Sequence, residues 1–142
     1  MNVNQKGNIG LIKTMECLYE QGFYCYPAFD DYSPVDLIAM AADGKTYRLQ
    51  VKYRAESANQ ERYYEIHFSS VVNGKRVRIN ESLVDAWAIY MAERDEVVFL
   101  PVEEVRGRTA HYIRQSHLKE EYKFVKKELN GESTGQGTRP DC

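Results

Sequence analysis

Three residues in this chain have the types and spacing for phosphodiester chemistry: Asp36, Gln50 and Lys52. A carboxylate and an amide oxygen are hard ligands suited to magnesium, and a lysine beside them can neutralise a phosphate. All three fall in SPVDLIAMAADGKTYRLQVKYR, residues 33–54, which reads as two short strands joined by a turn. Asp36 opens the apolar run Leu37-Ile38-Ala39-Met40, Asp43-Gly44-Lys45 is a turn signal, and Tyr47 to Lys52 resumes an extended pattern. Side chains alternate along a strand, so Gln50 and Lys52 emerge on one face and Leu49, Val51 and Tyr53 on the other. If the strands pair, Asp36, Gln50 and Lys52 converge at one edge of a small sheet. That combination suggests phosphodiester hydrolysis.

The flanking segments must hold this edge in place. Leu11, Ile12, Met15, Leu18 and Tyr19 form one apolar stripe and predict a helix over residues 8–21, with Asn8 as N-cap and Gly22 closing it. Phe23 to Phe29 is strand-like and rich in aromatics, and residues 55–62 form a polar loop. Residues 63–80 read as a hairpin turning at Asn73-Gly74, with Glu65 to Ser69 alternating against Arg76 to Ile79. Arg76 and Arg78 then share a face, and Val77 and Ile79 point to the core or a partner. A ribbon carrying arginines has the size of a DNA major groove, and the same pattern also suits a plain solvent-facing hairpin. Ala86 to Met91 is a continuous apolar run of the kind that makes a buried central strand, and Val97 to Val102 returns as another. A short extended piece is expected at His111 to Ile113, then a helix over Ser116 to Leu129. The polar, glycine-rich tail 130–142 is expected to be disordered, leaving residues 1–129 as a single domain.

Composition narrows the function. The 142 residues are 43% hydrophobic, enough for a core. A formal net charge of −2 hides an uneven distribution. Gly44 to Asn80 holds eight Lys/Arg against three Glu, while Glu81 to Arg106 holds seven acids against two arginines. The basic middle is either a local patch for a polyanion or a set of ordinary solvated strand faces. Cys17, Cys25 and Cys142 lack metal-ligand spacing and leave one unpaired, which favours a reduced cytoplasmic setting. No apolar run approaches the ~20 residues of a membrane span, so a soluble, non-membrane protein is expected. His67, His111 and His117 are scattered, Asp30 and Asp31 read as turn residues, and Gly7, Gly10 and Gly22 read as helix-boundary residues.

KGNIG at 6–10, GFYCYPAFDDYSPVDLI at 22–38, GKTYRLQVKYR at 44–54 and VDAWAIYMAERDEVVFLPVEEV at 84–105 resemble the PD-(D/E)XK nucleases. They are most similar to the branch that includes homing endonucleases encoded in bacterial group I introns. The resemblance runs from about Lys6 to Val105. It implies an α/β fold of the α+β kind, a mixed β-sheet core flanked by helices with a protruding hairpin. It also implies a magnesium-dependent endonuclease, with manganese as substitute, acting on double-stranded DNA as a dimer or tetramer in the cytoplasm of a bacterial or phage-infected cell, associated with the nucleoid. By position, Asp36 resembles the motif aspartate and Lys52 the motif lysine. Gln50 stands where most of the superfamily has an acid, as is known in this branch. Asp36, Gln50 and the Val51 carbonyl would hold the metal, and Lys75, Arg76, Arg78 and Arg54 would meet DNA.

Two departures bear on the chemistry. The motif proline is not adjacent to the aspartate, since Val35 separates Pro34 from Asp36. The family also often places a glutamate just after the KGxxG segment, and this chain has Leu11 there. The nearest acid on that helix, Glu16, lies roughly 140° around it and replaces the missing carboxylate only if the helix is rotated or shifted. Two other readings therefore stand beside the homing endonuclease: a Holliday-junction resolvase or repair nuclease of the same fold, and a DNA-binding protein whose catalysis has lapsed.

Overall fold

A computed structural model describes residues 1–55 and 63–114. Its centre is a five-stranded mixed sheet in the order β1-β2-β3-β7-β8. The strands are β1 (Tyr24–Pro27), β2 (Leu37–Met40), β3 (Thr46–Arg54), β7 (Ala86–Met91) and β8 (Glu96–Pro101). β1, β2 and β3 run antiparallel in turn, β3 runs parallel to β7, and β7 runs antiparallel to β8. The β2–β3 pair is the one expected from residues 33–54. Its turn is closed by Gly44 at φ +92, where a side chain would be strained, and by the Lys45 amide on the Asp43 carboxylate at 3.0 Å.

The helix on one face, α1 (Val3–Glu20), is longer than the apolar stripe suggests. Asn2, not Asn8, caps it: the Asn2 side chain takes the Gln5 amide and the Gln5 side chain takes the Asn2 amide, both at 2.9 Å. Polar residues 3–8 extend the helix because this capping box satisfies its free amides, and an apolar stripe does not register such a turn. Gly7 and Gly10 are consequently interior to the helix, not at its boundary. Gly10 is where α1 lies closest to β3: a Cβ there would sit 3.4 Å from Val51 Cγ1 and 3.7 Å from the Lys52 carbonyl.

The sheet has a core on each side. Leu37, Ala39, Leu49, Ala88 and Phe99 pack beneath Cys17 and Leu18 of α1. Trp87, Ile89, Met91 and Leu100 face a second layer that includes Tyr64, Ile66, Phe68, Ile79 and Val105. Burial on both faces explains the unbroken apolar run of β7, in which every residue is buried.

The second layer corrects the single hairpin expected over residues 63–80. β4 (Tyr63–His67) pairs with β9 (Ala110–Arg114), the short extended piece foreseen near His111. The hairpin proper is β5 (Ser69–Val72) with β6 (Lys75–Arg78), turning through Asn73 and Gly74 at φ 51 and 76. Phe68 breaks the run between β4 and β5. Its ring is buried 4.6 Å from that of Trp87, and its amide and carbonyl bond to Thr109 and Ile79. Ile79 does reach the core, but Val77 is 46% exposed, because β6 extends beyond the layer. A 3₁₀ turn at Glu81–Leu83 and a one-turn helix, α2 (Val102–Val105), were not legible beforehand. The expected helix at 116–129, the tail 130–142 and most of the loop 55–62 lie outside the described residues.

The contact at Gly10 gives a stability expectation. Gly10→Ala should remain within about 1 kcal/mol of the parent, because its methyl meets ordinary van der Waals distances and alanine favours helix. Gly10→Leu should cost about 1–3 kcal/mol by overpacking against Val51 and Tyr53. Denaturant unfolding measures both, and a leucine variant as stable as the parent would contradict the close approach.

Candidate active site

β3 is the backbone of the site. β2 accompanies it only as far as Leu49, opposite Leu37, while β7 pairs with it out to Arg54. Beyond Leu49 the β2 side of β3 is open, and Asp36 fills it. The Asp36 amide donates to the Leu49 carbonyl at 3.0 Å, and its Oδ2 accepts the Val51 amide at 2.8 Å. Continuing the β2–β3 register by one residue sets Asp36 opposite Gln50. The chain approaching β2 is itself tied to β1, since the Ala28 amide donates to the Asp36 carbonyl at 2.9 Å.

Gln50 and Lys52 emerge on the same face of β3, as their alternation requires, and it is the face away from α1. Gln50 is buried, and its Oε1 accepts the indole N–H of Trp87, its register partner on β7, at 3.2 Å. A carbonyl oxygen has two lone pairs, so one remains after this bond. Lys52 donates from Nζ to the Ser69 carbonyl at 3.3 Å, where β5 begins. Arg54 comes next along the face, its Nε on the Glu65 carbonyl at 2.8 Å and its Nη1 on the Tyr53 carbonyl at 2.7 Å.

Burial and charge act together here. Burial raises the pKa of Asp36 above the usual aspartate value, against the opposing pull of the Val51 amide and the Lys52 charge. Burial likewise pushes the Lys52 ammonium down to about 8; Arg54 and Arg76 add to the fall and Asp36 resists it. Arg54 is also lowered by burial, with Glu65 opposing. Three cations thus bear on one another around a single site carboxylate, an arrangement that favours a polyanion.

The remaining candidates fall elsewhere. Leu11 packs against the core under α1. Glu16 lines a cleft with Lys13, Cys17, Glu20, Tyr90, Asp95 and Val97, a set that contains none of Asp36, Gln50 and Lys52. Lys75, Arg76 and Arg78 are exposed on β6; Arg76 donates to Ser69 Oγ at 2.9 Å and Arg78 is paired with Glu81. His67 is paired with Glu65 at 2.9 Å and His111 faces Arg108 at 3.3 Å, while His117 lies outside the described residues. Asp30 takes the Tyr32 amide at 2.7 Å, a turn role. Reading the sequence missed Trp87 and Ser69. The single tryptophan in an apolar run is a visible signal, but a backbone carbonyl on a distant hairpin has none.

The family description that matches the chain, over residues 1–131, is PD-(D/E)XK endonuclease. The chain belongs to this endonuclease family. Among solved structures, a bacterial homing endonuclease, I-Ssp6803I, superposes with a TM-score of 0.67 at 13% identity, over 80% of this chain and 78% of that one. At that identity the likeness is one of fold. No curated protein matches the chain. Among the described residues no helix is long and apolar enough to cross a membrane.

The family implies a divalent ion, and the donor set can be tested against it. Among the described residues no three His, Cys, Asp or Glu side chains cluster for metal binding. A magnesium ion does not need such a cluster, since it keeps several waters and takes one or two carboxylates with substrate phosphates. Asp36 Oδ1, the second lone pair of Gln50 Oε1 and the Val51 carbonyl are hard oxygens of the right kind. The residues fit a weakly held ion whose shell is completed by phosphate.

Asp36→Asn keeps an acceptor for the Val51 amide but removes the site's anion, and Lys52→Ala removes its nearest cation. Each should slow cleavage on the order of 100-fold or more while leaving DNA binding measurable. Single-turnover rates on plasmid DNA, with circular dichroism for folding, are the measurement. A near-parental rate in either variant would remove that residue from the chemistry.

Proposed function

We propose that this chain is a metal-dependent, site-specific endonuclease of double-stranded DNA, of the homing type. The observation that supports the reading is Asp36 bound at the open side of β3 within electrostatic reach of Lys52, with Gln50 and Lys52 on one face of that strand, in a PD-(D/E)XK chain. Asp36, Gln50 and the Val51 carbonyl would hold magnesium, or manganese in its place. The bound ion supplies Lewis-acid polarisation of the phosphate and a lowered pKa for water.

The chain's own residues do the rest. Lys52, kept from bulk water and turned by the Ser69 carbonyl, donates to a phosphate oxygen and offsets the charge that grows there in the transition state. The Val51 amide holds the Asp36 carboxylate through Oδ2, and Oδ1 would serve the ion. The exposed β6 residues Lys75, Arg76 and Arg78, with Arg54 behind them, support contact with DNA, phosphate contacts setting the register and base contacts the sequence. One chain carries one such face, so a double-strand break calls for a dimer or tetramer.

A second reading has its own observation. Leu11 is partly buried against the core and Gln50 already holds an indole, so the site is short of anions. That favours a protein that binds DNA without cutting it. A supercoiled-plasmid assay with magnesium or manganese, and a chelator control, decides between them. Metal-dependent nicking is the expected result, and duplex binding with no nicking in either metal would establish the second reading.

Gln50 offers a finer test. Gln50→Glu adds an anionic oxygen and should tighten metal binding, whereas Gln50→Ala should weaken it. Identical metal titrations for parent and both variants would take Gln50 out of the coordination shell.

A further inference from the structure

We propose that the base of the β5–β6 hairpin is part of the catalytic centre: Ser69 positions Lys52 through its carbonyl, and Arg76 adds a second cation for a phosphate at or beside the cleaved bond. The proposal rests on the endonuclease reading and refines it, because it makes Arg76 a phosphate ligand instead of a reader of base edges.

One residue gathers both cations. The Ser69 carbonyl takes Lys52 Nζ at 3.3 Å, and its hydroxyl takes Arg76 Nη1 at 2.9 Å. Two positive groups converging on one neutral residue repel, and an anion placed between them would relieve that repulsion. Arg48 is paired with Asp85, Arg78 with Glu81 and Arg94 with Glu96, whereas Arg54 is held by two backbone carbonyls. Among the described residues no carboxylate lies within ion-pair distance of Arg76. Its guanidinium is oriented by a hydroxyl, which steers the fork without cancelling the charge. A planar fork held this way matches the paired oxygens of a phosphodiester.

The arrangement has a functional corollary. The hairpin that meets the duplex is fastened to the lysine that serves the reaction. A duplex that seats the hairpin badly would draw Ser69 and Arg76 away from Lys52, so a poor site would be cut slowly as well as bound weakly.

The experiment uses a duplex containing the mapped cleavage site, with phosphates around it replaced one at a time by uncharged methylphosphonate. At one position the parent's single-turnover rate should fall on the order of 100-fold. Arg76→Ala should show a similar fall on the native duplex and no further fall on that substituted one, with Arg76→Lys recovering part of the rate. Ser69→Ala should slow cleavage and Ser69→Thr restore it, with folding checked by circular dichroism. Independent, multiplying losses at every phosphate would overturn the proposal. So would an Arg76→Ala enzyme that cuts at the parental rate but loses preference at one base pair. If the parent cuts nothing in magnesium or manganese, the endonuclease reading fails by itself, and duplex affinity against salt still decides Arg76. Arg76→Ala should lower that slope by about one unit, and an unchanged slope would overturn its role.

Discussion

The bond from the Val51 amide to the Asp36 carboxylate is the constraint on which the site depends. Where β2 stops, β3 presents an amide that must find an acceptor, because an unsatisfied backbone donor in a half-buried place costs about 1–3 kcal/mol. The aspartate meets that need with one oxygen, and in the proposed mechanism the other serves the ion. The position of Asp36 follows from the ladder and not from a flexible loop.

The rest of β3 is arranged around that point. Its odd-numbered residues pack toward α1, which approaches closely enough that Gly10 has room for little more than a methyl group. Its even-numbered residues carry Gln50, Lys52 and Arg54 into the layer formed by β4, β5, β6 and β9. Each of these buried or half-buried polar groups has a specific partner: an indole, a carbonyl, two carbonyls. The same enclosure raises the pKa of Asp36 and lowers that of Lys52, since burial works against the charged form of each.

The β2–β3 pair, the buried β7 and the site face are legible in the sequence because each rests on local alternation and turn chemistry. Asp43-Gly44 and Asn73-Gly74 announce their turns through the backbone they demand. The first turn of α1 is not legible from periodicity, since a capping box holds it without apolar residues. Nor is the division of 63–80 between two pairings: Glu65 to Ser69 alternates like one strand, and only the burial of Phe68 against Trp87 divides it. The partners of Lys52 and Gln50 come from strands far along the chain, and long-range contacts of this kind leave no mark in spacing.

The Gln50–Trp87 bond has an optical consequence. The chain has a single tryptophan, and its indole N–H ends on an oxygen of the proposed coordination shell while its ring lies against Phe68. Indole emission responds to the electrostatics at its N–H, so whatever binds Gln50 Oε1 also changes the field at the fluorophore. With no other tryptophan to obscure it, Trp87 is an intrinsic fluorescent reporter on the surroundings of Gln50.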